Sequence, residues 1–79
     1  MKYALYYYDA CPFCQRLLAA LPKVTVDVEK RNVMQNRSFS EQQYKATGRT
    51  TVPCLLIEEN GKETWMYESA DIIRYLQSR

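Results

Sequence analysis

Histidine is absent from this chain, glycine occurs twice and proline three times in 79 residues. Without histidine there is no ordinary general base near neutral pH, no imidazole metal ligand and no Ser-His-Asp relay. No internal repeat or low-complexity stretch is present. No run approaches 18 consecutive apolar residues, which excludes a helical membrane span. The opening Met1–Asp9 lacks the long apolar region and small-residue cleavage site of a secretory signal, so a cytoplasmic location is expected. A dominant charge is missing too. The balance of 11 basic and 9 acidic residues gives +2, and Lys30-Arg31 is the single adjacent basic pair, which does not suggest a nucleic-acid partner. The length suits one domain, residues 1–79, and a monomer is the default at this size. A core this small favours a shallow binding groove over an enclosed cavity.

What the chain does have is three cysteines, at Cys11, Cys14 and Cys54. An odd count makes a poor disulfide scaffold, and in a reducing compartment a Cys-x-x-Cys pair points to catalysis or metal binding. A structural zinc site wants four ligands. Only Cys54 remains beyond the pair, so redox chemistry is favoured over a zinc knuckle or inert core thiols.

Hydrophobic patterning and turn signals divide the chain into seven elements. Residues 3–8 are tyrosine-rich and predict a central strand. Pro12 suits a first helical position. Cys14, Leu17, Leu18 and Leu21 then fall on one helical face, and Pro22 ends the helix. Val24, Val26 and Val28 alternate with polar residues and predict a second strand, followed by a polar loop over 30–37. Ser38-Phe39-Ser40-Glu41 reads as a capping box opening a helix to Thr47, closed by Gly48. Residues 54–58 form a strand after Pro53. Asn60-Gly61 forms a tight turn, and residues 63–67 return as the hairpin partner. Ser69 is positioned to cap a last helix with Ile72, Ile73 and Leu76 inward. The order is β-α-β-α-β-β-α.

Thiol–disulfide exchange needs a thiolate that attacks and a second thiol that resolves the mixed disulfide. Cys11 precedes the first helical turn, where unpaired backbone N–H groups favour an anion and lower a thiol pKa. Cys14 shares the apolar stripe and is expected to be buried and less acidic. Cys11 is therefore the expected nucleophile and Cys14 the resolving residue. Asp9, two residues ahead, opposes ionisation of Cys11. Cys54 is expected to pack as a small inert hydrophobe. At the last helix, free N–H groups suit a carboxylate, and Glu68 can accept from an ammonium group. The plainer alternative is that Ser69 is only a cap and Glu68 only a favourable charge.

Three segments, Cys11-Pro12-Phe13-Cys14, Thr50-Thr51-Val52-Pro53 and Tyr67-Glu68-Ser69-Ala70-Asp71-Ile72-Ile73-Arg74-Tyr75-Leu76, together resemble the glutaredoxin family over essentially the whole chain. The last segment is also similar to the glutathione-binding part of the glutathione S-transferase N-terminal domain. The resemblance implies a thioredoxin-like α/β fold with a four-stranded mixed sheet and three helices. It implies glutathione-dependent reduction of protein disulfides or protein–glutathione mixed disulfides, with Cys11 and Cys14 forming the redox disulfide. Pro53 would be cis and face Cys11. The backbone of Val52 would pair with the cysteinyl part of glutathione, Glu68 and Ser69 would hold its γ-glutamyl end, and Thr51 would be among the glutathione-binding residues. Phe13 would flank the thiol, and Arg49 or Lys45 would meet the glycyl carboxylate. Glutathione would be the co-substrate, with no metal. Its partners would be disulfide-bearing or glutathionylated proteins. Two further readings stand beside this one. The first is a module holding an iron–sulfur cluster through Cys11 and glutathione, against which Pro12 and Cys14 argue. The second is a glutathione S-transferase, whose electrophile-binding helical domain is not expected within 79 residues.

Overall fold

The computed structural model describes all residues, Met1–Arg79. Four strands form one sheet in the order β2-β1-β3-β4, namely β1 (Lys2–Tyr7), β2 (Glu29–Asn32), β3 (Cys54–Glu59) and β4 (Lys62–Met66). β2 runs parallel to β1, while β3 and β4 are antiparallel to their neighbours. The helices are α1 (Pro12–Ala20), α2 (Arg37–Thr47) and α3 (Ser69–Gln77). This mixed sheet with three helices, in the expected order, is the thioredoxin-like α/β arrangement.

Alternation along the two central strands builds a core on each face of the sheet. Tyr3 and Leu5 of β1 join Leu55 and Ile57 of β3 beneath Leu17 of α1 and Ile72 and Leu76 of α3. On the opposite face Ala4, Tyr6, Cys54 and Leu56 pack with Phe39 of α2, Val52, Trp65 and Tyr67. Leu5, Leu17, Leu55 and Ile72 are wholly buried. The sheet is thus clamped between an α1–α3 layer and α2.

Three local expectations are corrected. The valines at 24, 26 and 28 are not the second strand: the ladder with β1 begins at Ala4↔Glu29 and ends at Tyr7↔Asn32. The valines instead lie half-buried along the edge of the α1–α3 core. Their alternation reports burial of an extended segment, while pairing is set by where β1 offers free backbone groups. Second, α2 opens at Asn36 and not at a Ser38 capping box. The Asn36 side-chain oxygen accepts from the Ser38 N–H at 3.0 Å and from its hydroxyl at 2.7 Å, and asparagine is at least as good a cap as serine. Third, Ser69 is the first residue of α3, and Glu68 occupies the cap position with no side-chain hydrogen bond.

The turn signals are found where expected. Gly48 closes α2 in the left-handed region at φ 73°, its N–H reaching the Tyr44 carbonyl. Asn60 and Gly61, at φ 53° and 79°, form the β3–β4 turn, the pair of positive φ values a tight hairpin turn requires. Pro22 lies in a single 3-10 turn, Leu21–Lys23, that follows α1.

Candidate functional site

Cys11 sits at the N-cap of α1 in extended backbone conformation (φ −75°, ψ 118°), immediately before Pro12. Its Sγ accepts a hydrogen bond from the Cys14 N–H at 3.3 Å. A sulfur atom thus takes the role usually filled by a serine or aspartate oxygen, at the positive end of the helix dipole. Both cysteines are buried, Cys11 at 4% exposure and Cys14 at 0%, and all three cysteines are free thiols. Desolvation pushes the Cys14 thiol up to about 12, its hydrogen bond with Cys11 adds to this, and a backbone hydrogen bond from Tyr8 works against it.

The loop that carries Cys11 is pinned from two sides. Gln15 Nε2 donates to the Asp9 carbonyl at 2.9 Å, and Asn32 Nδ2 donates to the Asp9 carboxylate at 3.2 Å. Asn32 is itself buried, and its side-chain oxygen accepts from the N–H groups of Met34 and Gln35. The carboxylate of Asp9 is therefore directed to the end of β2.

Beside this loop lies a cleft of about 190 Å³, walled by Phe13, Val52, Pro53, Tyr67, Glu68 and Ser69. Five of these six are residues that the sequence singled out. The Val52–Pro53 peptide is cis. Phe13 is 58% exposed, so it forms a rim and is not core. At the floor, α3 begins with the unpaired N–H groups of a helix N-terminus; the first backbone bond of the helix runs from Ile72 N–H to the Glu68 carbonyl. The Ser69 hydroxyl caps nothing and makes no hydrogen bond within the chain.

The remaining candidates fall at different distances from this cleft. Arg49 stacks its guanidinium over the Tyr67 ring, 4.8 Å from the centroid, which holds a cation at the cleft edge. Thr51 is exposed, and its carbonyl is turned inward to Gln43. Lys45 is not brought to the cleft. It lines other surface hollows on α2, one with Tyr6, Arg31 and Trp65 and one with Arg37 and Tyr44. Cys54 packs on the α2 face of the sheet with Ala4, Tyr6 and Leu56, and burial raises its thiol to about 12.

Sequence reasoning missed Tyr67 as a wall, and Gln15, Asn32 and Gln43 as supports. Gln43 left a signal. It lies four residues after Phe39 on the inward stripe of α2, where an apolar residue is the rule.

Residues 5–79 match the family described as glutathione S-transferase, N-terminal domain. This chain belongs to that family. Three of the cleft's walls, Tyr67, Glu68 and Ser69, lie in the last of the three segments on which the family resemblance rests. The chain is also 33% identical over 54 residues to Glutaredoxin 3 of Escherichia coli strain K12, an alignment covering 68% of this chain and 65% of that protein. A glutathione transferase homologue from Drosophila mojavensis, solved with bound glutathione, superposes with a TM-score of 0.69 at 26% identity. That superposition covers 98% of this chain and 34% of the larger protein. Thioredoxin 1 from Thermosipho africanus shares the fold, with a TM-score of 0.71 at 23% identity over 99% of this chain and 97% of its own. The chain thus spans less than two thirds of the glutaredoxin and about a third of the transferase homologue.

Proposed function

We propose that this domain is a glutathione-dependent thiol–disulfide oxidoreductase with Cys11 as nucleophile. The observation that carries the reading is a cysteine sulfur at the N-cap of α1, two residues before Phe13, which shares the walls of one cleft with Val52, Pro53, Glu68 and Ser69. The glutaredoxin relative and the glutathione-bound transferase homologue support it.

The Val52 backbone, next to the cis Val52–Pro53 peptide, offers strand-like pairing to the cysteinyl portion of glutathione. The free N–H groups and hydroxyl at Ser69 take the γ-glutamyl carboxylate, Glu68 takes its ammonium group, and Arg49 at the rim faces the glycyl carboxylate. In the reaction, the Cys11 thiolate attacks the glutathione sulfur of a protein–glutathione mixed disulfide. That S–S bond breaks, and the protein thiolate departs and takes a proton from solvent. A Cys11–glutathione disulfide is left. A second glutathione thiolate then attacks the bound glutathione sulfur, releasing oxidised glutathione and restoring the Cys11 thiolate. Cys14 offers an internal route: its thiolate would attack the Cys11 sulfur, release reduced glutathione and leave a Cys11–Cys14 disulfide, but a thiol at about 12 is almost wholly protonated at neutral pH. The proposal places the chain in a reducing cytoplasmic setting, as a monomer, with glutathionylated or disulfide-bearing proteins as partners.

Turnover of a small glutathione mixed disulfide tests this. Cys11→Ser is expected to abolish activity, and Cys14→Ser to retain glutathione-dependent turnover. Full activity of Cys11→Ser overturns the assignment. The family match favours one second reading, in which the same cleft holds glutathione as the nucleophile that adds to an electrophile. Conjugation of glutathione to an aryl halide that survives Cys11→Ser would select it.

A further inference from the structure

Gln43 is wholly buried in the middle of α2, an unusual place for a carboxamide. Its Nε2 donates to the Thr51 carbonyl at 2.7 Å. Its Oε1 is the one buried side-chain polar atom in the chain with no hydrogen-bond partner. Gln43 therefore holds the residue immediately ahead of Val52 and Pro53, which wall the cleft.

A second line of contacts starts at the same residue. The backbone carbonyl of Gln43 accepts from the Thr47 hydroxyl at 2.8 Å, a bond that does not depend on the carboxamide and that Gln43→Met would keep. The Thr47 hydroxyl oxygen accepts from the Arg49 N–H at 3.0 Å, and Arg49 stacks on Tyr67, another wall of the cleft. An apolar residue at this position would fill the volume equally well. What it would lack is a directional hold on the Thr51 carbonyl. A buried polar group with one unmet acceptor is an expensive way to fill space, and its geometry is spent on one segment.

We propose that Gln43 is a positioning residue for the cleft: through the Thr51 carbonyl it fixes the Val52–Pro53 wall at the height where the Val52 backbone pairs with an extended thiol tripeptide. This rests on the reading of the cleft as a glutathione site. Gln43 neither lines the cleft nor bonds to Cys11, so it acts on affinity and not on the reactivity of the nucleophile.

Gln43→Met tests it by removing the carboxamide hydrogen bond at nearly constant volume. Glutathione affinity is measured by titration calorimetry, and Cys11 reactivity by the rate of iodoacetamide alkylation in a Cys14→Ser background. Affinity is expected to fall about threefold to tenfold, the loss of one hydrogen bond, with the alkylation rate unchanged. Unchanged affinity overturns the proposal, as does a parallel fall in both readouts, which marks general disruption. Should Gln43→Met not fold, NMR of the wild-type chain decides. Slow solvent exchange of the Gln43 carboxamide protons and a shift of their resonances on adding glutathione support the role; fast exchange or no shift overturns it. Failure of the wild-type chain to bind glutathione removes the parent reading itself. Binding by wild type with equal binding by Gln43→Met removes the positioning role alone.

Discussion

Cys14 and Cys54 are both at 0% exposure, and desolvation raises each from an ordinary 9.0 to about 12. In the unfolded chain these thiols ionise as pH passes 9, whereas in the folded chain they hold their protons until near 12. Between those values the unfolded state binds fewer protons, so stability falls as pH rises. The contribution is complete below about pH 9 and is lost on approaching 12. Burial raises the Tyr3 and Tyr6 hydroxyls as well, which adds to the same trend. The urea midpoint is expected to drop between pH 8 and pH 10.5, and Cys54→Ala to make the drop shallower. A flat profile would show that these thiols ionise freely in the fold. The sequence carried much of this residue-scale picture. Cys14 falls on the stripe of Leu17 and Leu21, and the N-cap placement of Cys11 follows from Pro12. It did not carry the anchoring of Asp9: Asn32, 23 residues away, meets it only once β2 has paired, and Gln15, six residues away, reaches back from α1 only through the particular turn of the Asp9–Cys11 loop.

Among the elements, α2 is delimited by two residues with separate physical reasons, Asn36 as a side-chain cap and Gly48 in the left-handed region. Nothing lies within 4 Å of a Cβ built on Gly48, so the penalty for a side chain there is conformational and not steric crowding. Gly48→Ala is expected to cost about 1 kcal/mol, or roughly 4–8 °C in melting temperature for a domain of this size. A loss of less than 1 °C would show that the turn relaxes. Gly48 and the Asn60-Gly61 turn were legible because positive φ leaves a compositional mark. β2 was not. Its four residues, Glu29–Asn32, are charged or polar, and one is Arg31, whose guanidinium lies over the rings of Tyr6 and Phe39. An edge strand stabilised by backbone pairing and by a cation on aromatic faces shows no alternation of apolar residues. Nearby valines that do alternate belong to the core without belonging to the sheet.

For the whole molecule, a domain with 16 of 79 residues buried has little stability in reserve. Leu17 is wholly buried and ties α1 to the sheet and to α3. Leu17→Ala is expected to remove about 2–5 kcal/mol, a large share of the roughly 5–15 kcal/mol typical of such folds. Chemical denaturation should show a markedly lower midpoint with an unchanged slope. A loss under about 1 kcal/mol would mean that the α1–α3 layer repacks around the gap. The architecture was legible at this scale because seven elements in that order, with a short hairpin near the end, leave few ways to form a mixed sheet.

β4 lies at one margin of that sheet, hydrogen-bonded to β3 on one side only. Its other side presents a row of free amide and carbonyl groups, a template onto which any extended polypeptide could zip. The strand is five residues long and opens with Lys62 and Glu63, both solvent-facing. Brevity and exposed charged side chains make such an edge a poor seed for fibril growth. The same margin that leaves the fold open also guards it against polymerisation.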